Sequence, residues 1–171
     1  MSMVTVQGPN SSREERLNRM MLTYEKEVLR LCCMYLHDVH LAQDAVQDTF
    51  LKAYRKLDSF EGRASERTWL MHIAVNTCRD LCRGGWFRHV DGAVSLDDLP
   101  VPVAPPSAEH IALTQAIMRL KGKYREVVLL HCDQGLTVRE TAKALGITAP
   151  AVMNRLKKAR AELARALEEE A

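Results

Sequence analysis

Apolar residues recur at helical spacing in a series of separate stretches. Between Leu17 and Leu36, the residues Leu17, Met20, Met21, Tyr24, Val28, Leu31, Cys32 and Tyr35 fall on one face, which predicts an amphipathic helix. Ser11 or Ser12 is placed to cap its start in the Arg13–Arg16 segment, and His37-Asp38 ends it. A second helix follows from Leu41. Ala42, Ala45, Val46, Phe50, Ala53, Tyr54 and Leu57 form its stripe, and Asp44, Gln47, Asp48, Lys52, Arg55 and Lys56 its polar face. Acids precede bases there, as the helix dipole favours, and Asp48–Lys52 has the spacing of an i,i+4 pair. A third helix is predicted from about Glu66 to Arg83, with Leu70, Ile73, Ala74, Thr77, Cys78 and Leu81 on its apolar face. His72, Asn76, Arg79 and Arg83 line up on another. The joining loop, Ser59–Ser65, is broken at Gly62 and carries Arg63. A polar loop opening onto a basic, amide-bearing helix face is suited to gripping unpaired DNA.

Gly84-Gly85 breaks the third helix. Trp86 and Phe87 follow, and aromatics at a helix end more often cover a core than stack on bases. The next stretch holds Pro100, Pro102, Pro105 and Pro106 without helical period and reads as an extended linker. Asp97-Asp98 within it are solvated acids rather than a catalytic pair. Beyond it, Ser107 caps a helix over 108–120, and a shorter one over 124–131 is stopped by Gly135. Thr137-Val138-Arg139-Glu140 is a capping box. Ala142 and Leu145 continue an apolar face, Gly146 makes a turn, and Thr148 caps a last helix that tolerates Pro150 in its first turn. That helix has Val152, Leu156, Ala159 and Leu163 on its buried side and Asn154, Arg155, Lys157, Lys158 and Arg160 beside it. The pair reads as a helix-turn-helix. Glu168, Glu169 and Glu170 oppose the dipole and predict a frayed end.

The fold class is therefore all-α, with two small helical domains joined by a Pro-rich linker and a C-terminal helix-turn-helix. The expected boundaries are a disordered tail over 1–12, a first domain over 13–85, a linker over 86–107 and a second domain over 108–171. At 171 residues with 47% apolar content the chain can build a sizeable core, and a net charge of +2 selects no partner. No stretch reaches the length of a membrane helix and the start lacks a signal-like apolar core, so a cytoplasmic location is expected. The five cysteines, Cys32, Cys33, Cys78, Cys82 and Cys132, lie in helical, largely apolar surroundings and read as reduced core thiols. Neither they nor His37 and His40 show a metal-ligand spacing. No phosphate loop or nucleophile–base arrangement is present. No catalytic residue, cofactor, metal or small-molecule substrate is expected.

DAVQDTFLKAYRKLDSF and TWLMHIAVNTCRDLCR resemble the promoter-melting domain of an extracytoplasmic-function (group IV) sigma factor of the sigma-70 family. The resemblance is carried by Asp44, Val46-Gln47, Phe50, Phe60, Trp69-Leu70, Ile73-Ala74, Asn76, Asp80 and Arg83. GLTVRETAKALGITAPAVMNRLKKARAEL is similar to the family's −35-reading region. It departs from the family pattern at Lys121-Gly122, Ala149-Pro150-Ala151 and Met153. The resemblance implies a promoter-specificity subunit that binds core RNA polymerase through Asp44, Gln47, Asp48, Phe50, Leu51 and Arg55. It implies a −10 element read as a single strand by Arg63, Ser65, His72, Asn76, Arg79 and Arg83. Groove geometry leads to the expectation that Met153, Asn154, Arg155 and Lys158 meet a duplex −35 element, with Lys157 and Arg160 on phosphates. In the family, the linker threads through the polymerase near its active centre, and an anti-sigma protein, often membrane-anchored, holds the factor inactive. The rival reading is a stand-alone helix-turn-helix transcriptional regulator that binds DNA without polymerase.

Overall fold

Ser12 fixes where the first helix begins. Its hydroxyl accepts from the Glu15 N–H at 3.2 Å, and the Glu15 carboxylate accepts from the Ser12 N–H at 3.0 Å. Two otherwise unpaired donors are thereby satisfied. The computed structural model describes residues 12–84 and 107–170. The expected N-terminal tail up to residue 11, the Trp86–Phe87 pair and the linker over 86–106 lie outside the described residues.

Helix α1 spans Arg13–Leu36 and stops at His37, whose φ of 58° is left-handed. Asp38 caps α2, Val39–Lys56, by accepting from the Leu41 N–H at 2.8 Å. The helix thus starts two residues before the apolar pattern begins. A 3₁₀ turn over Leu57–Ser59 leads to α3, Glu66–Arg83, capped by Ser65. The second group of helices is α4 (Ala108–Arg119), α5 (Gly122–Val127), α6 (Val138–Leu145) and α7 (Ala149–Glu170). The single helix expected over 124–131 is instead α5 followed by a π-helical turn, Val128–Asp133. Gly135, at φ 70°, ends it. The predicted capping box forms at Thr137 and Glu140, and Gly146 turns the chain at φ 65° before α7. Helix α7 runs through Glu170, so the acidic stretch Glu168–Glu170, whose charges oppose the dipole, lies within its last turn. Among the described residues no helix is long and apolar enough to cross a membrane.

Val28, Leu31, Cys32, Phe50, Leu57, Leu70 and Ile73 fill the space between α1, α2 and α3. Leu129, Leu130, Leu136, Leu145, Val152 and Leu156 fill the second group, and the two cores are continuous. They join because α6, as well as α2, packs on α3. Met71 and Val75, outside the predicted stripe, are fully buried as a result. The expected Asp48–Lys52 pair gives way to a contact across helices. The Lys52 ammonium donates to Thr77 Oγ1 at 3.1 Å and lies 3.7 Å from Asp80.

His37 is a built-in acid sensitivity. Its Nε2 is buried without a partner. Burial, aided by the nearby Arg125 charge, depresses its pKa from 6.5 to about 4. The unfolded chain therefore takes up this proton first, and the stability it withholds is present above pH 6.5 and lost as pH falls toward about 4. His37→Asn keeps a residue that tolerates left-handed φ. The drop in melting temperature between pH 7 and pH 5 should be smaller in this variant than in the wild type.

Candidate nucleic-acid interface

The stripe on α3 forms as its spacing predicts, and the second group of helices lies against it. Arg79 is held by both carboxylate oxygens of Glu126, each at 2.7 Å. Glu126 is buried and also accepts from the Tyr35 hydroxyl at 2.7 Å. Burial first, and the hydrogen bond to Glu126 next, push the Tyr35 phenol far above its ordinary pKa. His72 Nδ1 lies 2.6 Å from the Ala144 carbonyl oxygen, so Nδ1 carries the proton and Nε2 is free to accept from Asn76 Nδ2 at 3.2 Å. Asn76 Oδ1 accepts from Arg79 at 3.3 Å. Arg83, with its side chain 78% exposed, lies 3.9 Å from Asp80.

Further bonds extend the same junction. Arg30 donates to both oxygens of Asp133, at 2.6–3.0 Å. Arg67 pairs with Glu27 at 2.7 Å and donates to the Gln134 carbonyl oxygen. Arg125, whose pKa is lowered by burial, donates to the carbonyl oxygens of Tyr35, Met118 and Leu120 at 2.6–2.9 Å. One cation so closes the last turns of α1 and α4, where unpaired carbonyls and the dipole favour it. Lys143 donates to the Arg63 carbonyl oxygen at 3.0 Å. Nothing in the sequence pattern singled out Arg30, Glu126 or Asp133.

The Arg63 and Ser65 side chains bond locally rather than across this contact. Arg63 is exposed and pairs locally with Glu61 at 2.7 Å. The exposed Ser65 is the α3 cap, accepting from the Thr68 N–H at 3.1 Å. Trp69 is half-buried against Phe60, their ring centroids 4.8 Å apart, so it is a packing residue.

On α7, Met153, Asn154, Lys157, Lys158 and Arg160 are exposed on the side away from Val152, Leu156 and Ala159. Arg155 is placed differently. It is half-buried and lines a cavity of about 370 Å³ with Arg79, Arg83, Lys123 and Glu126. Thr148 caps α7 by accepting from the Ala151 N–H at 3.3 Å.

On α2, Asp44, Gln47, Asp48 and Arg55 are exposed, and Leu51 is 47% exposed. Phe50 is 3% exposed and belongs to the core. Its edge reaches a groove of about 480 Å³ between α1 and α2, lined also by Leu17, Met21, Gln47, Leu51 and Tyr54.

Cys32, Cys33 and Cys78 are buried, Cys82 is half-buried, and Cys132 is exposed on the π-helical turn, which departs from the expectation of core thiols throughout. Cys78 lies 3.6 Å from Cys32. That contact and burial raise the Cys78 pKa, and burial pushes Cys33 up to about 11. Protonated, enclosed thiols are poor nucleophiles. A thiol reagent added to the native chain should label Cys132 first and reach Cys32, Cys33 and Cys78 only at the rate of unfolding. Early labelling of Cys78, read by mass spectrometry, would contradict this. Among the described residues no group of three or more His, Cys, Asp or Glu side chains is placed to hold a metal ion.

The family model "Sigma-70 region 2" matches residues 20–88, and "Sigma-70, region 4" matches residues 110–163. The chain is 37% identical over 129 residues to the RNA polymerase sigma factor NccH of Alcaligenes xylosoxydans xylosoxydans, covering 70% of this chain and 69% of that protein. It is 34% identical over 147 residues to the ECF RNA polymerase sigma factor SigM of Mycobacterium tuberculosis, covering 84% and 73%. The solved structure of CnrH in complex with the cytosolic domain of CnrY matches with a TM-score of 0.72 at 25% identity, covering 92% of this chain and 91% of that one.

Proposed function

Because the chain belongs to the extracytoplasmic-function (group IV) RNA polymerase sigma factors of the sigma-70 family, we propose that it is a promoter-specificity subunit of bacterial RNA polymerase. It binds core enzyme, recognises −35 and −10 elements and promotes melting. The observation that carries the reading is the presence of region 2 and region 4 in order on one chain. Residues 13–85 form the core-binding and −10-binding unit, 86–107 the linker, and 108–171 the −35-binding unit, with α6, the Gly146 turn and α7 as its helix-turn-helix. The region 2 match counts against a stand-alone regulator, which has no use for a polymerase-binding unit.

The residue roles are those that membership of the family implies. Asp44, Gln47, Asp48, Leu51 and Arg55 meet polymerase, with Phe50 supporting the groove floor from the core. Arg63, Ser65, His72, Asn76, Arg79 and Arg83 read −10 bases flipped from the duplex. Unstacking costs a few kcal/mol per base, which pocket contacts offset. Met153, Asn154, Arg155 and Lys158 enter the major groove while Lys157 and Arg160 neutralise phosphates. Arg155→Ala should weaken promoter binding by about 1–3 kcal/mol if the side chain forks onto a base. An unchanged preference at every −35 position would remove Arg155 from the reading set. The regulatory partner is an anti-sigma protein, often membrane-anchored in this family. The solved complex of CnrH with the cytosolic domain of CnrY supports a partner of this kind.

Titrating labelled chain with bacterial core polymerase tests the first step. Saturable binding lowered by Leu51→Asp agrees with the proposal. Absence of binding contradicts it.

A further inference from the structure

Lys121-Gly122, where the chain departs from the family pattern, leads into α5 beside a strongly charged cavity. That cavity, of about 370 Å³, takes Gly122, Lys123 and Glu126 from the α5 stretch, Arg79 and Arg83 from α3 and Arg155 from α7. Its four cations meet one carboxylate, and that carboxylate is already engaged: both Glu126 oxygens hold Arg79 at 2.7 Å, and one also accepts from the Tyr35 hydroxyl. Arg83, Lys123 and Arg155 are left as cations that the cavity does not balance. Arg83 has only Asp80 beside it, at 3.9 Å. The Lys123 ammonium lies 5.1 Å from the centre of the Tyr124 ring. Among the described residues neither Lys123 nor the half-buried Arg155 has a carboxylate at ion-pair distance. Converging cations repel one another, and partial burial leaves less water to screen them. An anion relieves both costs. Guanidinium groups fork onto phosphate oxygens, and an ammonium adds a point charge. Three unbalanced cations match a diphosphate better than they match a single carboxylate. Gly122 keeps the space open: it lies outside the left-handed region, and a Cβ there would meet only the Tyr35 hydroxyl oxygen, at 3.9 Å.

We propose that this cavity binds a small anion bearing a diphosphate group, with Arg83, Lys123 and Arg155 as its cationic ligands and Gly122 leaving room for it beside Tyr35. The volume is at the lower end of what small-ligand sites usually offer, about 300–1,000 Å³. Where Arg83 and Arg155 read DNA as proposed above, the anion and DNA compete for them.

The test follows the melting temperature of the full-length chain as inorganic pyrophosphate is added, with ionic strength held constant by sodium chloride. Melting needs neither polymerase nor promoter, so its outcome is independent of the proposed function. A ligand held only by the folded chain should raise the melting temperature by roughly 5–10 °C at about a hundred times its dissociation constant. Gly122→Asp puts a carboxylate into the cavity without removing any group proposed to read DNA, and should abolish the gain. Lys123→Ala should cut the gain to less than half. No gain in the wild type, or a gain that Gly122→Asp leaves intact, overturns the site. Should Gly122→Asp fail to melt cooperatively, Lys123→Ala decides alone, and an unchanged gain there overturns the site. A fluorescein-labelled single strand separates a free anion from a DNA phosphate. Gly122→Asp should weaken pyrophosphate binding far more than strand binding. Equal weakening of the two would assign the cavity to the DNA backbone and overturn the small-anion site.

Discussion

Arg79→Ala is expected to loosen the two groups of helices and, unlike Glu126→Gln, to lower promoter-directed transcription. Removing the guanidinium leaves Glu126, with its side chain 5% exposed, bonded to the Tyr35 hydroxyl and near the Arg125 charge but without its bidentate partner. Stripping one member of a buried pair typically costs about 3–5 kcal/mol. Glu126 can avoid much of that cost by moving into water, so the loss should appear as separation of the two groups before global unfolding. Both substitutions break the same pair, but only Arg79→Ala deletes a proposed DNA contact, a loss of about 1–3 kcal/mol or roughly five- to 150-fold. Scattering should therefore report expansion for both variants, while start-site-specific transcripts should fall for Arg79→Ala alone. Equal transcription by the two variants would remove Arg79 from the −10 set.

Leu70→Ala should cost about 2–5 kcal/mol of unfolding free energy, a large share of the roughly 5–15 kcal/mol that a domain has to lose. Leu70 is fully buried on α3, the helix shared by both cores. A cavity there therefore weakens the core that α3 shares with its neighbours. Chemical denaturation should show a lower midpoint. A loss below about 1 kcal/mol would mean that α3 is not the common packing element.

Much of this architecture was legible in the sequence because local signals agreed. The limits of α3 follow from Ser65 and Gly84, and the Thr137–Glu140 box and Gly146 place the turn before α7. The stripe of His72, Asn76, Arg79 and Arg83 was legible too, but its covering was not. A polar helix face has the same pattern whether it meets water, DNA or another helix. The residues that cover it are remote: Glu126 lies 47 positions from Arg79, and Asp133 lies 103 from Arg30. Pairings across such distances leave no periodic trace. Lys52 turned to Thr77 rather than Asp48 for the same reason, since an i,i+4 spacing competes with partners on a neighbouring helix. Phe50 was named for the polymerase surface on resemblance, although its position in the apolar stripe of α2 marks it as core, where it lies.

The comparisons carry the family, and the second group of helices lies against the α3 stripe. The measurement that tests the central claim most directly is transcription from a promoter library by purified bacterial core polymerase, with and without this protein. The protein should direct starts downstream of one shared pair of −35 and −10 elements. Core polymerase that gains no specificity, together with binding of duplex DNA by the protein alone, would contradict it and favour a stand-alone regulator.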